Sequence, residues 1–152
     1  MSNDIEKLEA GHVIIIDRFD LPNVGETVKS TWMVYLGRDS ITQSPISIHL
    51  HRLTSQIGHY GASGTRSREL TVFFARGQFG IFDEDSILDF NERGYHIPRE
   101  RFETYNIIPR GKLPEDVLRR IWNCVSRSKF YTRIQLVSIR ESLNRAGITN
   151  LK

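Results

Sequence analysis

The chain has a single cysteine in 152 residues, which excludes an intrachain disulfide and any zinc site made of several thiolates. Cys124 falls inside a helical pattern and reads as a small core residue. Long apolar runs are missing as well. No segment approaches the ~20 apolar residues that span a bilayer, and the acidic start MSNDIEKLEAG has no apolar stretch of signal-peptide length. A soluble, cytoplasmic protein with no membrane partner is expected. There is no G-x-x-x-x-G-K phosphate cradle, no dinucleotide glycine fingerprint after a strand and no H-E-x-x-H. Lysine is scarce. Of 21 basic residues sixteen are arginine, within a formal net charge of +3. Arginine grips phosphate with a planar fork that lysine lacks, so an anionic partner is plausible. Repeats and low-complexity segments are absent.

What is present fits one α+β domain over 1–152. HVIIIDRF (12–19) is a β-branched buried strand, DLPNVGETVKS (20–30) an exposed loop, and TWMVYLG (31–37) a second strand stopped by Gly37. ISIHLHRLT (46–54) is a third. LTVFFAR (70–76) and FGIFDEDSILDF (79–90) supply two more, and RERF a short turn of helix. The chain then turns helical, from about 110 to 152. Pro114, Glu115 and Asp116 suit the first turn of a helix over about 114–127, whose buried stripe is Val117, Leu118, Ile121 and Val125. A second, over 133–146, places Leu136, Ile139, Leu143 and Ala146 on one face and stops at Gly147. Five or six short strands followed by two helices predict a small curved sheet or barrel across 11–90, closed by helices.

The stretch HLHRLTSQ (49–56) is unusual for a strand because neither face is cleanly apolar. By alternation His49, His51 and Leu53 share one face, and Leu50, Arg52 and Thr54 the other. Two histidines at i and i+2 can hold a metal from one face, but no third ligand stands near them in sequence; satisfied strand histidines are the ordinary alternative. The following SQIGHYGASGTRSRE (55–69) carries three glycines and reads as a functional or disordered loop. Arg52, Arg66, Arg68 and Arg76 against the one acid Glu69 can form a phosphate-tracking funnel, with His59 and Tyr60 available to stack bases. A solvated loop is the other possibility. The cluster Asp83, Glu84, Asp85 reads as a strand-end turn rather than a metal site, and Trp32 and Trp122 read as core residues.

The order GHVIIIDRF, polar loop, WMVYLG, then a strand ending LTSQ resembles the first half of the MazF/PemK family, within the Kid/CcdB superfamily. DEDSILDFNERGYHIPRERF resembles that family's later strands and bend, and IPRGKLPEDVLRRI its entry into the C-terminal helix. The resemblance spans roughly residues 11 to 125. It implies an SH3-like barrel and a sequence-selective, metal-independent endoribonuclease toxin with no cofactor. It further implies a homodimer that cleaves single-stranded RNA at a two-fold cleft and is restrained by a protein antitoxin. It carries the family's phosphate-holding hydroxyl onto Thr54 and Ser55. Where the family has its catalytic arginine, this chain has Thr31, with Lys29 the nearest cation. On this basis Thr54, Ser55, Lys29, Thr31, His49 and His51 are the candidate catalytic residues. Arg18, Arg52, Arg66, Arg68 and Arg76 are the candidate RNA contacts. The rival expectation is a catalytically inactive RNA- or protein-binding module on the same barrel. Leu50 should pack inward while Thr54 and Ser55 open onto a basic cleft.

Overall fold

The β-branched run at 12–19 forms an interior strand of an antiparallel sheet in the computed structural model, which describes residues 7–19, 29–40, 45–55 and 70–152. The strands are β1 (His12–Phe19), β2 (Lys29–Arg38), β3 (Ser47–Thr54), β4 (Thr71–Phe74), β5 (Ser86–Asp89), β6 (Tyr95–Pro98) and β7 (Asn106–Lys112). The helices are α1 (Arg99–Phe102), α2 (Glu115–Arg127) and α3 (Arg133–Arg145). The strand order is β4-β5-β3-β2-β1-β7, with β6 also on β3. The protein is therefore α+β. No ladder closes the sheet among the described residues. No helix among them is long and apolar enough to cross a membrane.

Alternation along β1 and β2 sends side chains to two cores on opposite sides. Val13 pairs with Val34 on one side and Ile14 with Met33 on the other. The first core gathers Val13, Val34, Leu36, Leu53, Phe74 and Leu88 under the buried stripe of α2 and α3. The second gathers Ile14, Ile16, Met33, Tyr35, Leu50 and Ile97 around Phe102 of α1. Between Ile16 and Phe19 the register slips, and Arg18 takes a left-handed φ of 58° at the bulge.

β3 is the pivot. One edge pairs with β2; the other is shared, Ser47–Leu50 with β6 and Leu53–Thr54 with β5. A single strand serving three neighbours bends the sheet. Two of these strands lie where sequence alone placed none. β6 and β7 carry Pro98, Pro109 and Gly111, which weaken a strand pattern; β7 tolerates Pro109 because it is an edge. In the expected 79–90 strand only Ser86–Asp89 is extended, with a 3₁₀ turn at Gln78–Gly80. Arg110 on β7 reaches back to this segment, donating to the Ile81 carbonyl at 2.9 Å and to Asp83 at 3.0 Å.

The C-terminal helices begin as the sequence predicts. Pro114 is the N-cap of α2, with Glu115 and Asp116 in its first turn. Thr132 opens α3 with a capping box: its hydroxyl accepts from Gln135 N while the Gln135 side chain accepts from Thr132 N. Docking of α3 onto β2 is polar as well as apolar. The Ser142 hydroxyl accepts from Arg38 N and faces Arg38 O at 3.2 Å, directly over Gly37. At Gly37, φ is 136°, and any Cβ would collide with the Ser142 side chain, so the residue must be glycine on both counts.

Candidate functional site

A cleft of about 340 Å³ lies at the end of β2 and β3. Ser30, Thr31 and Trp32 form one wall, Arg52, Leu53, Thr54 and Ser55 the next, and Asp83, Glu84 and Ser86 the turn before β5. Pairing brings these together. Ile16 sets Thr31 on the side of the second core, and Met33 sets Arg52 there too. Thr54, two residues beyond Arg52, faces the same way. Thr31 is 8% exposed, Thr54 half-buried and Ser55 exposed.

Ring and ion-pair contacts tie the Trp32 wall to the acidic turn. Trp32 stacks on Phe82 with ring centroids 6.4 Å apart, and the Arg110 guanidinium lies 5.1 Å from the Trp32 ring centre. Arg110 also pairs with Asp83 at 3.0 Å, neutralising part of the acidic turn. Ser86 donates to the Glu84 carbonyl at 3.0 Å, fixing the turn, and Ser30 donates to Asp17 at 3.1 Å. The cleft thus presents hydroxyls and one guanidinium facing two carboxylates. That set can donate hydrogen bonds to an anionic oxygen and accept a proton from a substrate hydroxyl.

The histidines lie elsewhere. His49 and His51 face the first core, on the other side of β3 from Arg52 and Thr54, and each is 1% exposed. His51 Nε2 donates to the Asp89 carbonyl at 2.7 Å, so its Nδ1 is the acceptor for the Tyr131 hydroxyl at 2.6 Å. His49 Nε2 meets Asp39 at 2.8 Å and its Nδ1 meets Nδ1 of His96, also at 2.8 Å. Ser138 of α3 donates to the same Asp39 oxygen. Burial pushes His51 down to about 4, outweighing the Asp89 carbonyl. Burial likewise lowers His96 to about 4, helped by the neighbouring imidazoles. His49 is lowered by burial despite Asp39. Burial acts to raise the Asp39 carboxyl, but hydrogen bonds from His49, Ser47 N and Ser138 outweigh it and hold it below its ordinary value. These imidazoles are neutral struts joining β3 to β6 and to the C-terminal segment. No group of three or more metal-ligating side chains occurs among the described residues.

The other expected residues divide. Thr31, Arg52, Thr54 and Ser55 meet at the cleft. Arg18 is exposed at the β1 bulge and Arg76 beyond β4, where its backbone N–H donates to Asp85; neither lines the cleft. Lys29 opens β2 opposite Phe19, but its side chain lies outside the described residues, as do Arg66, Arg68, His59 and Tyr60. Leu50 packs inward. The described wall of the cleft is mixed in charge rather than basic. Sequence reasoning overlooked Asp83, Glu84 and Trp32 as cleft residues. The only available signal was an acidic run ending just before a strand, which a plain turn explains as well.

No family model matches the chain, and no curated protein matches it significantly.

Proposed function

We propose that the chain is a MazF/PemK-like endoribonuclease toxin that cleaves single-stranded RNA without a metal. In this proposal it works as a cytoplasmic homodimer on an SH3-like barrel and is restrained by an antitoxin protein. The observation that carries the reading is the convergence of Thr31, Arg52, Thr54 and Ser55 on one cleft that also holds Asp83 and Glu84. Cleavage of this kind has the 2′-hydroxyl attack its own phosphate, giving a cyclic phosphate and a free 5′-hydroxyl. It needs a base, an acid and donors to the charge that builds on phosphorus. In this reading Thr54, Ser55 and Arg52 supply the donors, and Glu84, which lines the same cleft, takes the 2′-hydroxyl proton. The barrel is supported by the way β3 divides its edge between β6 and β5, and by Arg110 drawing β7 toward the β4–β5 connection.

RNA incubated with the protein in EDTA should yield fragments with 5′-hydroxyl ends. Thr54→Ala and Arg52→Ala should each slow cleavage by roughly 10²-fold or more, as removal of one transition-state donor does elsewhere. Intact RNA would reject the enzyme reading. The second reading, a catalytically inactive RNA- or protein-binding module on the same barrel, is favoured by Thr31, which lines the cleft where the resembled family has its catalytic arginine. It predicts a gel shift without fragments.

A further inference from the structure

β4 is held from its inner side. Val72 and Phe74 are buried in the first core, and Phe74 stacks on Phe82 with ring centroids 4.5 Å apart. Strand alternation turns Phe73 to the other side, where a polar residue would be expected, and it is 50% exposed. One exposed phenylalanine is ordinary on a protein surface. Its register sets this one apart: Phe73 pairs with Ile87, and Ile87 pairs with Thr54. Phe73, Ile87 and Thr54 therefore form one row on one side of the sheet. Ile87 between them is covered, so the row offers an exposed aromatic ring and a half-buried hydroxyl held in register by a buried apolar side chain. Two strand spacings separate them, roughly 9–10 Å. That is a span one nucleotide can bridge, with its phosphate at the hydroxyl and its base over the ring.

We propose that Phe73 is a base-stacking platform for the RNA strand whose phosphate is held at Thr54 and Ser55. The inference rests on the RNA-binding reading above and adds to it a position that selects unpaired bases. A duplex keeps its bases stacked on one another and offers no free face to the ring, so the site takes single strands. Every base has a π-face, so Phe73 supplies affinity and positioning more than sequence choice.

The test uses a short, fluorescein-labelled RNA methylated at every 2′-hydroxyl, which binds without being cut. Phe73→Ala should weaken binding roughly fivefold to a hundredfold, the range for losing one base–aromatic stack. Phe73→Trp should retain binding. Phe73→Leu keeps apolar contact on β4 but has no π-face, so it should bind like the alanine variant, and it decides the matter if Phe73→Ala is poorly folded. A 2-aminopurine placed along the same RNA should be quenched by wild type and Phe73→Trp at one position, and released from quenching in Phe73→Leu. Suppose Thr54→Ala and Arg52→Ala weaken binding while Phe73→Leu binds within twofold of wild type. Phe73 is then no platform, although the cleft still binds RNA. Wild type that fails to bind the RNA at low salt rejects the RNA reading itself. Loss of self-association in Phe73→Leu with RNA binding intact would make Phe73 a protein contact and overturn the proposal.

Discussion

Lowering the pH from 8 to 5 should destabilise the protein through its buried imidazoles, His51 most of all. His51 is neutral in the fold, with its Nδ1 lone pair committed to the Tyr131 hydroxyl and its Nε2–H to the Asp89 carbonyl. Phe90 lies against the ring at 4.3 Å between centroids, and Arg52 adds positive charge nearby. Its pKa falls from 6.5 to about 4. The unfolded chain therefore binds more protons than the folded one between those values, and stability drops as pH falls through 6.5 toward 4. For one such group the loss is about 2 kcal/mol at pH 5 and about 3 kcal/mol once pH is below 4. His96 and His49 shift in the same direction; His96 is partly exposed, so solvent screens its share. Urea unfolding at constant ionic strength at pH 8, 6 and 5 measures the effect. His51→Gln should be less stable than wild type at pH 8, yet lose about 2 kcal/mol less between pH 8 and 5. Equal wild-type stability at pH 8 and 5, or a His51 that titrates near 6.5 by NMR, would refute the reasoning.

Tyr131→Phe removes the hydroxyl that His51 Nδ1 accepts from; it should cost about 1–3 kcal/mol in urea unfolding at pH 8, with the cleft unaffected. Gly37→Ala forces a side chain into Ser142 at a φ of 136° and should destabilise by roughly 2 kcal/mol or more, read as a lowered Tm. Ser142→Ala in the same background should recover little, because the Cβ of residue 142 is itself part of the collision and the φ strain remains. Thr132→Ala breaks the capping box of α3 and should cost about 1 kcal/mol; Thr132→Ser should restore most of it.

Much of this protein is set locally and is legible in its sequence. The β-branched run at 12–19, the extended patterns before Gly37 and through 47–54, and the two amphipathic helices are decided by side-chain period and by residues at their ends. Those elements stand where the period places them. The alternation in HLHRLT is enough by itself to separate the imidazoles from the guanidinium and hydroxyl. Alternation says that the faces differ, not what covers each. Only the tertiary structure decided that, by bringing Tyr131 and Ser138, 80 residues from His51 and 99 from Asp39, onto the histidine side. That cover turns apparent proton carriers into buried neutral struts. β6 and β7 were equally out of reach, since short strands with prolines take their identity from the neighbour they pair with. The cleft is the extreme case. Thr31, Thr54 and Glu84 lie far apart in the chain, and no local preference records that β3 turns its end toward the segment before β5. Strand pairing across long sequence separations makes that choice, because a backbone ladder rewards only the register in which both cores are filled.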